Sequence, residues 1–335
     1  MPRNRQNEGA ILRKIADRFP SPQGPAFRRS IALGVGDDAA LFRPKPRHQA
    51  ILTCDWFLEG THFLRAKHPP DAVGWKCLAR AVSDVAAMGG TPCCFLLSLA
   101  LPETHTGRWL ELFLKGLHRA SGKFQCALAG GDTTLQDEIL INVTVVGEVP
   151  TGLAVPRSGA REGDLIYVSG TLGEAELGLQ MLRRAKSFPS KRHPLLKKHL
   201  YPEPRLELGR WLARKKIATA MMDLSDGLSS DLAKLCAASG VGALLDQDHL
   251  PAVFVPRSFG RRVDESRQLA LHGGDDYELL FTAPPGKLPS WPWKFKKLPV
   301  CPMGVITSGS QVVYFESGKP LILPPRGWDP FRKRG

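Results

Sequence analysis

No apolar run in this 335-residue chain approaches the roughly 20 residues that cross a bilayer. The opening Met1-Pro2-Arg3-Asn4-Arg5-Gln6 is polar and lacks an apolar h-region, which argues against a secretory signal. None of the seven cysteines forms a C-x-x-C pair, and most sit in apolar stretches such as Phe124-Gln125-Cys126-Ala127-Leu128. A disulfide framework and a zinc ribbon are thereby disfavoured, and the pattern suits a reducing cytoplasm. There is no G-x-x-x-x-G-K-[ST], so a P-loop is excluded, and Gly34-x-Gly36 lacks the third glycine of a dinucleotide fingerprint. H-E-x-x-H and G-x-S-x-G are also missing, which removes the zincin and the commonest hydrolase readings.

Basic residues outnumber acidic ones, for a formal net charge of +14. That balance suits a polyanionic partner, either nucleic acid or small phosphorylated ligands, or else a solvated basic surface. Composition is otherwise ordinary for a globular protein, and the length suits two domains. Helical and extended patterns alternate along the chain. Strands are expected over 50–53, 95–101, 124–129 and 139–149, with helices over 72–88, stopped at Gly89-Gly90, and 109–120. Pro150-Thr151-Gly152 then breaks the pattern, which places a boundary between domains 1–150 and 151–335. The second half reads as strand 165–169, helix 174–184, strand 218–222 and helix 229–239 with Gly240 as its stop. Residues 185–204 read as a basic surface connection and 283–299 as an irregular loop. The fold class is α/β and α+β in two domains.

Aspartates, several of them beside glycines, carry the chemical signal: Gly34-Val35-Gly36-Asp37-Asp38, Thr53-Cys54-Asp55, Ser83-Asp84, Gly130-Gly131-Asp132-Thr133, Asp223-Leu224-Ser225-Asp226-Gly227 and Gly273-Gly274-Asp275-Asp276. Several follow predicted strands directly, where α/β folds place ligand sites. Clustered carboxylates repel unless a cation compensates, and Mg²⁺ binds through one or two carboxylates plus phosphate oxygens. Any single one of these motifs is better read as a turn or cap; six in one chain strain that reading. Asp84 sits late in its helix, where a carboxylate opposes the macrodipole, so it is a better functional candidate than Asp231 in the first turn of a helix. Glu278 reads as the polar face of a strand.

Taken together with Glu59-Gly60-Thr61-His62-Phe63, Arg157-Ser158-Gly159-Ala160 and Gly327-Trp328-Asp329, these motifs resemble the thiamine-monophosphate kinases of the aminoimidazole-ribotide synthetase superfamily. The resemblance runs in order from about residue 34 to 331. It implies ATP-dependent phosphorylation of thiamine monophosphate to thiamine diphosphate. It also implies an N-terminal α/β domain whose sheet pairs with its mate in a cytoplasmic homodimer, and a C-terminal α+β domain. By position, Asp38, Thr53, Cys54, Asp55, Asp84, Asp132, Asp223 and Asp226 would hold several Mg²⁺ ions. Gly131, Asp132, Arg157 and Ser225 would contact ATP, and His62, Asp275 and Trp328 the acceptor. An acceptor phosphate with a pKa of about 6 is already largely ionised at neutral pH, so no general base is needed. Direct in-line transfer without a phospho-enzyme follows, with metal ions countering repulsion between the polyanions. The face of Trp328 suits stacking on a thiazolium, a cation–π contact of roughly 0.5–2 kcal/mol, and also suits ordinary packing.

Two departures stand out. Cys54 occupies a usual threonine position, and a soft thiol is a poor Mg²⁺ ligand. Asp275 replaces the usual glutamate, one methylene longer. The competing readings are another ATP-dependent enzyme of the superfamily, or a basic nucleic-acid-binding two-metal protein. The latter predicts basic residues on one face with interleaved aromatics, whereas the basic runs here are short and separated. Neither nucleic acid nor membrane is expected as a partner.

Overall fold

The computed structural model describes residues 8–19, 31–35, 39–185, 193–255, 263–289, 292–316 and 319–332. Two compact units emerge, Met1–Val85 with Gly90–Gly152, and Ala86–Gly89 with Leu153–Gly335.

In the first unit, α1 (Glu8–Arg18) precedes a small antiparallel pair, β1 (Ile31–Leu33) and β2 (Leu41–Phe42). The main elements are β3 (His48–Leu58), α2 (Pro70–Ala87), β4 (Thr91–Leu101), α3 (Arg108–Phe124), β5 (Ala127–Leu135) and β6 (Leu140–Pro150). Among the described residues the sheet runs β3-β6-β4-β5, with β4 and β5 parallel and the other pairs antiparallel. Period-two alternation gives the sheet two unlike faces. Ile51 and Phe57 of β3, with Ile141, Val143 and Val145 of β6, are buried on one face. Arg80 of α2 lies over the Phe57 ring, which puts that helix on the buried side. Trp75 and Phe124 join α2 to α3 at 5.3 Å. The other face leaves Leu52 72%, Trp56 56% and Leu96 38% exposed.

The second unit contains β7 (Leu165–Ser169), α4 (Glu174–Arg184), α5 (Pro194–Leu200), α6 (Leu206–Arg214), β8 (Ala220–Asp223), α7 (Leu228–Ser239) and β9 (Gly242–Leu245). It continues with α8 (Val263–His272), β10 (Leu279–Ala283), β11 (Trp293–Phe295), β12 (Leu298–Thr307), β13 (Val312–Glu316) and β14 (Lys319–Ile322). The sheet order is β14-β13-β9-β12-β7-β10-β8, with β11 on β12. Ile166, Val168, Met222 and Leu280 pack against Leu228, Leu232 and Leu235 of α7. The neighbouring Tyr167, Met221 and Phe281 point the other way, onto Leu208 and Leu212 of α6. Helices therefore cover both faces, and the mixed α/β class holds.

Several boundaries shift. The residues expected to be a surface connection contain α5, whose Leu195, Leu196, His199 and Leu200 are buried; its three basic side chains masked the apolar stripe in sequence. The proline-rich stretch 283–299 is not wholly irregular. β11 pairs with the start of β12, and Trp293 and Phe295 pack on Trp211 at 5.7 and 5.3 Å. α3 continues through Ser121-Gly122 to Phe124 and stops at Gln125, which takes the left-handed conformation at φ 54°.

Candidate active site

In the first unit the chemistry sits inside regular elements. Thr53-Cys54-Asp55 lies within β3 and Gly130-Gly131-Asp132-Thr133 within β5, not after the strand ends as their sequence pattern suggests. Alternation then separates them. Thr53 and Asp55 share the helix-covered side of β3, and Thr53 Oγ1 donates to Asp84 Oδ2 on α2. Asp84 thus stands late in its helix with a partner on the sheet. Cys54 points to the opposite, open side, where its thiol meets Asn142 Oδ1 at 3.3 Å and Thr144 Oγ1 at 3.5 Å.

Asp132 is also on the open side, because the register aligns it with Ser98, Ser98 with Asn142, and Asn142 with Trp56. The backbone N–H of Thr133 donates to Asp132 Oδ1 at 2.9 Å. Gly131 has a packing reason of its own: a Cβ there would lie 1.9 Å from the Leu97 carbonyl oxygen. His62 accepts the Leu58 N–H on Nδ1 at 3.0 Å, which assigns the ring proton to Nε2 when the imidazole is neutral. Asp38 lies outside the described residues.

In the second unit the chemistry sits in loops fastened to one another. Asp223 ends β8 and is buried. The turn that follows is held by Asp231, whose Oδ2 accepts the N–H groups of Ser225, Asp226 and Gly227 at 3.0–3.1 Å. Burial pushes the Asp231 carboxyl upward, opposed by Lys234 at 2.9 Å. Asp231 is therefore helix-start chemistry, as its position suggests. Lys234 also pairs with Asp226, so a metal ion at that carboxylate would share or displace an ammonium.

Asp275 N donates to Ser225 O at 2.9 Å, and Trp328 N to Asp226 O at 2.8 Å. Gly327 makes the second approach possible: a Cβ would stand 2.2 Å from Asp226 O. Ser225, Asp226, Asp275 and Trp328, scattered over about a hundred positions, thus form one neighbourhood. Arg157 is exposed on a loop whose carbonyl accepts from Ser239 Oγ at 3.1 Å, while Gly159 and Ala160 N–H groups donate to the same hydroxyl.

Behind Asp275 lies a buried ionic network that sequence reasoning missed. Glu278 is fully buried, not on an exposed strand face. Arg205 grips it through Nε at 2.6 Å and through Nη2, and Lys198 and Ser169 reach it at 3.2 and 2.6 Å. Burial raises the Glu278 carboxyl most, but Arg205, Lys198 and Ser169 together outweigh it and leave the net shift downward. Asp276 accepts the N–H groups of Gly173 and Ala175 at 2.6 and 3.2 Å at the start of α4. Burial still pushes Asp276 up to about 7. The signal in sequence was an acid flanked by Tyr277 and Leu279 within an apolar run; the partners, some 70 residues upstream, gave none.

Among the described residues, no three His, Cys, Asp or Glu side chains converge on a ready-made metal site. The side chains of Thr53, Asp55 and Asp84 on the helix-covered side, and of Asp132 on the open side, nonetheless all offer oxygen, as a hard divalent cation requires, and Mg²⁺ takes few protein ligands when phosphates complete its shell. The Cys54 thiol does not fit by its softness, which leaves only its backbone carbonyl to serve.

Two family descriptions match in tandem: AIR synthase related protein, N-terminal domain, over residues 36–149, and the C-terminal domain over 161–312. A thiamine-monophosphate kinase of Salmonella typhimurium is 39% identical over 281 residues, 83% of this chain and 82% of its own length. The chain belongs to the thiamine-monophosphate kinase family. Solved structures agree with that membership. The enzyme of Stenotrophomonas maltophilia aligns with TM-score 0.79 at 36% identity, over 92% of this chain and 96% of its own. AaThiL, solved in complex with AMPPCP and TMP, aligns with TM-score 0.75 at 33% identity over 99% of both chains. Neither family description spans the whole chain; the second ends at the start of β13 and leaves β14 outside it.

Proposed function

We propose that this chain transfers the terminal phosphoryl group of ATP to thiamine monophosphate, giving thiamine diphosphate and ADP. The observation that carries the reading is the near full-length match to a relative solved with AMPPCP and TMP. The local arrangement supports it. Thr53, Asp55, Asp84 and Asp132, with Asp38 and Asp223, would hold Mg²⁺ ions, and Asp226 would do so in competition with Lys234. Bound Mg²⁺ would neutralise phosphate oxygens of donor and acceptor.

The protein's own part is to orient and to screen. Gly131, Asp132, Arg157 and Ser225 engage the nucleotide. The exposed guanidinium of Arg157 supplies a planar fork for phosphate. His62, Asp275 and Trp328 take the acceptor: the carboxylate and the indole face suit its cationic and amino-bearing rings, which carry no phosphate charge. Transfer is direct and in line, since the acceptor oxygen is already anionic and needs no base. The basic balance of the chain then serves small phosphorylated ligands, with no nucleic acid required.

Leu52, Trp56 and Leu96 are exposed apolar residues on the open sheet face, and the natural occupant is the same face of a second copy, giving a homodimer. Cys77, Cys93, Cys94, Cys126, Cys236 and Cys301 are buried free thiols, which supports a reducing, cytoplasmic setting. No helix among the described residues is long and apolar enough to cross a membrane. The test is chromatographic: incubation with ATP, Mg²⁺ and thiamine monophosphate yields equimolar ADP and thiamine diphosphate. Turnover of ATP only with aminoimidazole precursors overturns the acceptor assignment.

A further inference from the structure

Asp275 and Tyr277 both sit in the left-handed region, at φ 68° and 50°, on either side of Asp276. Aspartate tolerates that conformation better than glutamate, and an aromatic residue rarely adopts it. Such backbone persists only where its surroundings over-determine it, and it gathers at functional sites. Here the surroundings are explicit. Asp275 N and Tyr277 N donate to Ser225 O and Leu224 O, and Leu224 N to Glu278 O, each at 2.9 Å. The backbone of residue 275 is therefore fixed, and what remains is the rotation of a short side chain.

Two groups limit that rotation. Tyr277 Oη donates to Asp275 Oδ1 at 2.7 Å, and His199 Nδ1 stands 4.0 Å from Oδ2. Tyr277 and His199 are each 1% exposed, so neither hydroxyl nor imidazole is a mobile surface group. The side chain one methylene shorter than the family's usual glutamate thus comes with a local tether two residues away.

We propose that Tyr277 is a positioning residue for acceptor recognition: its hydroxyl, backed by His199, aims the Asp275 carboxylate at a cationic or amino-bearing ring of the acceptor. This rests on the acceptor role given to Asp275 above. A carboxylate repels phosphate and attracts positive charge or N–H donors, so the effect falls on the acceptor and not on ATP. The phenyl ring of Tyr277 serves packing and the hydroxyl serves orientation, which makes the two separable.

The experiment compares wild type, Tyr277→Phe, Asp275→Asn and the double variant, with KM for both substrates, kcat and thermal midpoint. A hydrogen bond to a charged group predicts a rise of about tenfold in KM for thiamine monophosphate in Tyr277→Phe, with KM for ATP within about twofold. In the Asp275→Asn background Tyr277→Phe adds nothing further, because the two act as one unit. Should Tyr277→Phe fail to fold, His199→Asn reads the same split in KM. An unchanged acceptor KM in Tyr277→Phe beside a raised one in Asp275→Asn overturns the positioning role and leaves the acceptor reading intact. An unchanged acceptor KM in both variants overturns the role of Asp275, and the proposal with it. A rise in both KM values with a lowered midpoint marks a structural role and also overturns it.

Discussion

The two units arrange acidic residues by opposite means. In the first, Thr53, Asp55 and Asp132 stand on strands and Asp84 on a helix, so element geometry decides which way each points. In the second, Ser225, Asp226, Asp275 and Trp328 stand in loops, and backbone hydrogen bonds and buried ion pairs hold them. The first-unit carboxylates, proposed for a cation, would need little fixing, because a bound ion itself organises its ligands once phosphates arrive. Asp275 and Trp328, proposed for an organic acceptor, have no such organiser and need a prebuilt frame.

That contrast yields predictions of decreasing size. Asp55→Asn in the first unit removes a carboxylate proposed to hold Mg²⁺ while keeping β3, and turnover falls about 100-fold or more while the melting temperature holds, read by steady-state kinetics beside calorimetry. Asp132→Asn behaves alike; full activity there would contradict its metal role. In the second unit the order reverses, with stability failing first. Arg205→Ala leaves the buried Glu278 with Lys198 and Ser169 but without its bidentate partner, and costs about 3 kcal/mol in urea unfolding.

Asp276 sharpens the same point through pH. Its folded pKa of about 7 lies above the ordinary carboxylate value, so the native state holds a proton that the unfolded state has lost. Stability then declines as pH rises from about 4 toward 7, and levels off beyond. Asp276→Asn flattens that slope in unfolding curves taken across the range. The smallest effect concerns the loop bearing Arg157. Ser239→Ala removes the hydroxyl that pins 157–160 and lowers stability by about 1 kcal/mol, with a modest rise in KM for ATP.

The segments proposed to bear ligands stand out in sequence because glycine and aspartate recur there. Sequence also placed β7 and α4 at their observed bounds, where periodicity and flanking glycines agree. It was blind where partners are distant. The Glu278–Arg205 pair spans 73 positions, and His199 sits in a helix whose lysines disguised a buried face. Nor did the motif Thr53-Cys54-Asp55 reveal that its middle residue faces away from its neighbours. That requires knowing the strand runs through it.

The most direct test of the account is Mn²⁺ binding followed by electron paramagnetic resonance, with Mn²⁺ standing in for Mg²⁺ and AMPPCP present. Wild type is expected to bind the ion, and Asp55→Asn and Asp84→Asn each to weaken that binding while remaining folded. Equal Mn²⁺ uptake by all three proteins would contradict the assignment of these carboxylates to the metal.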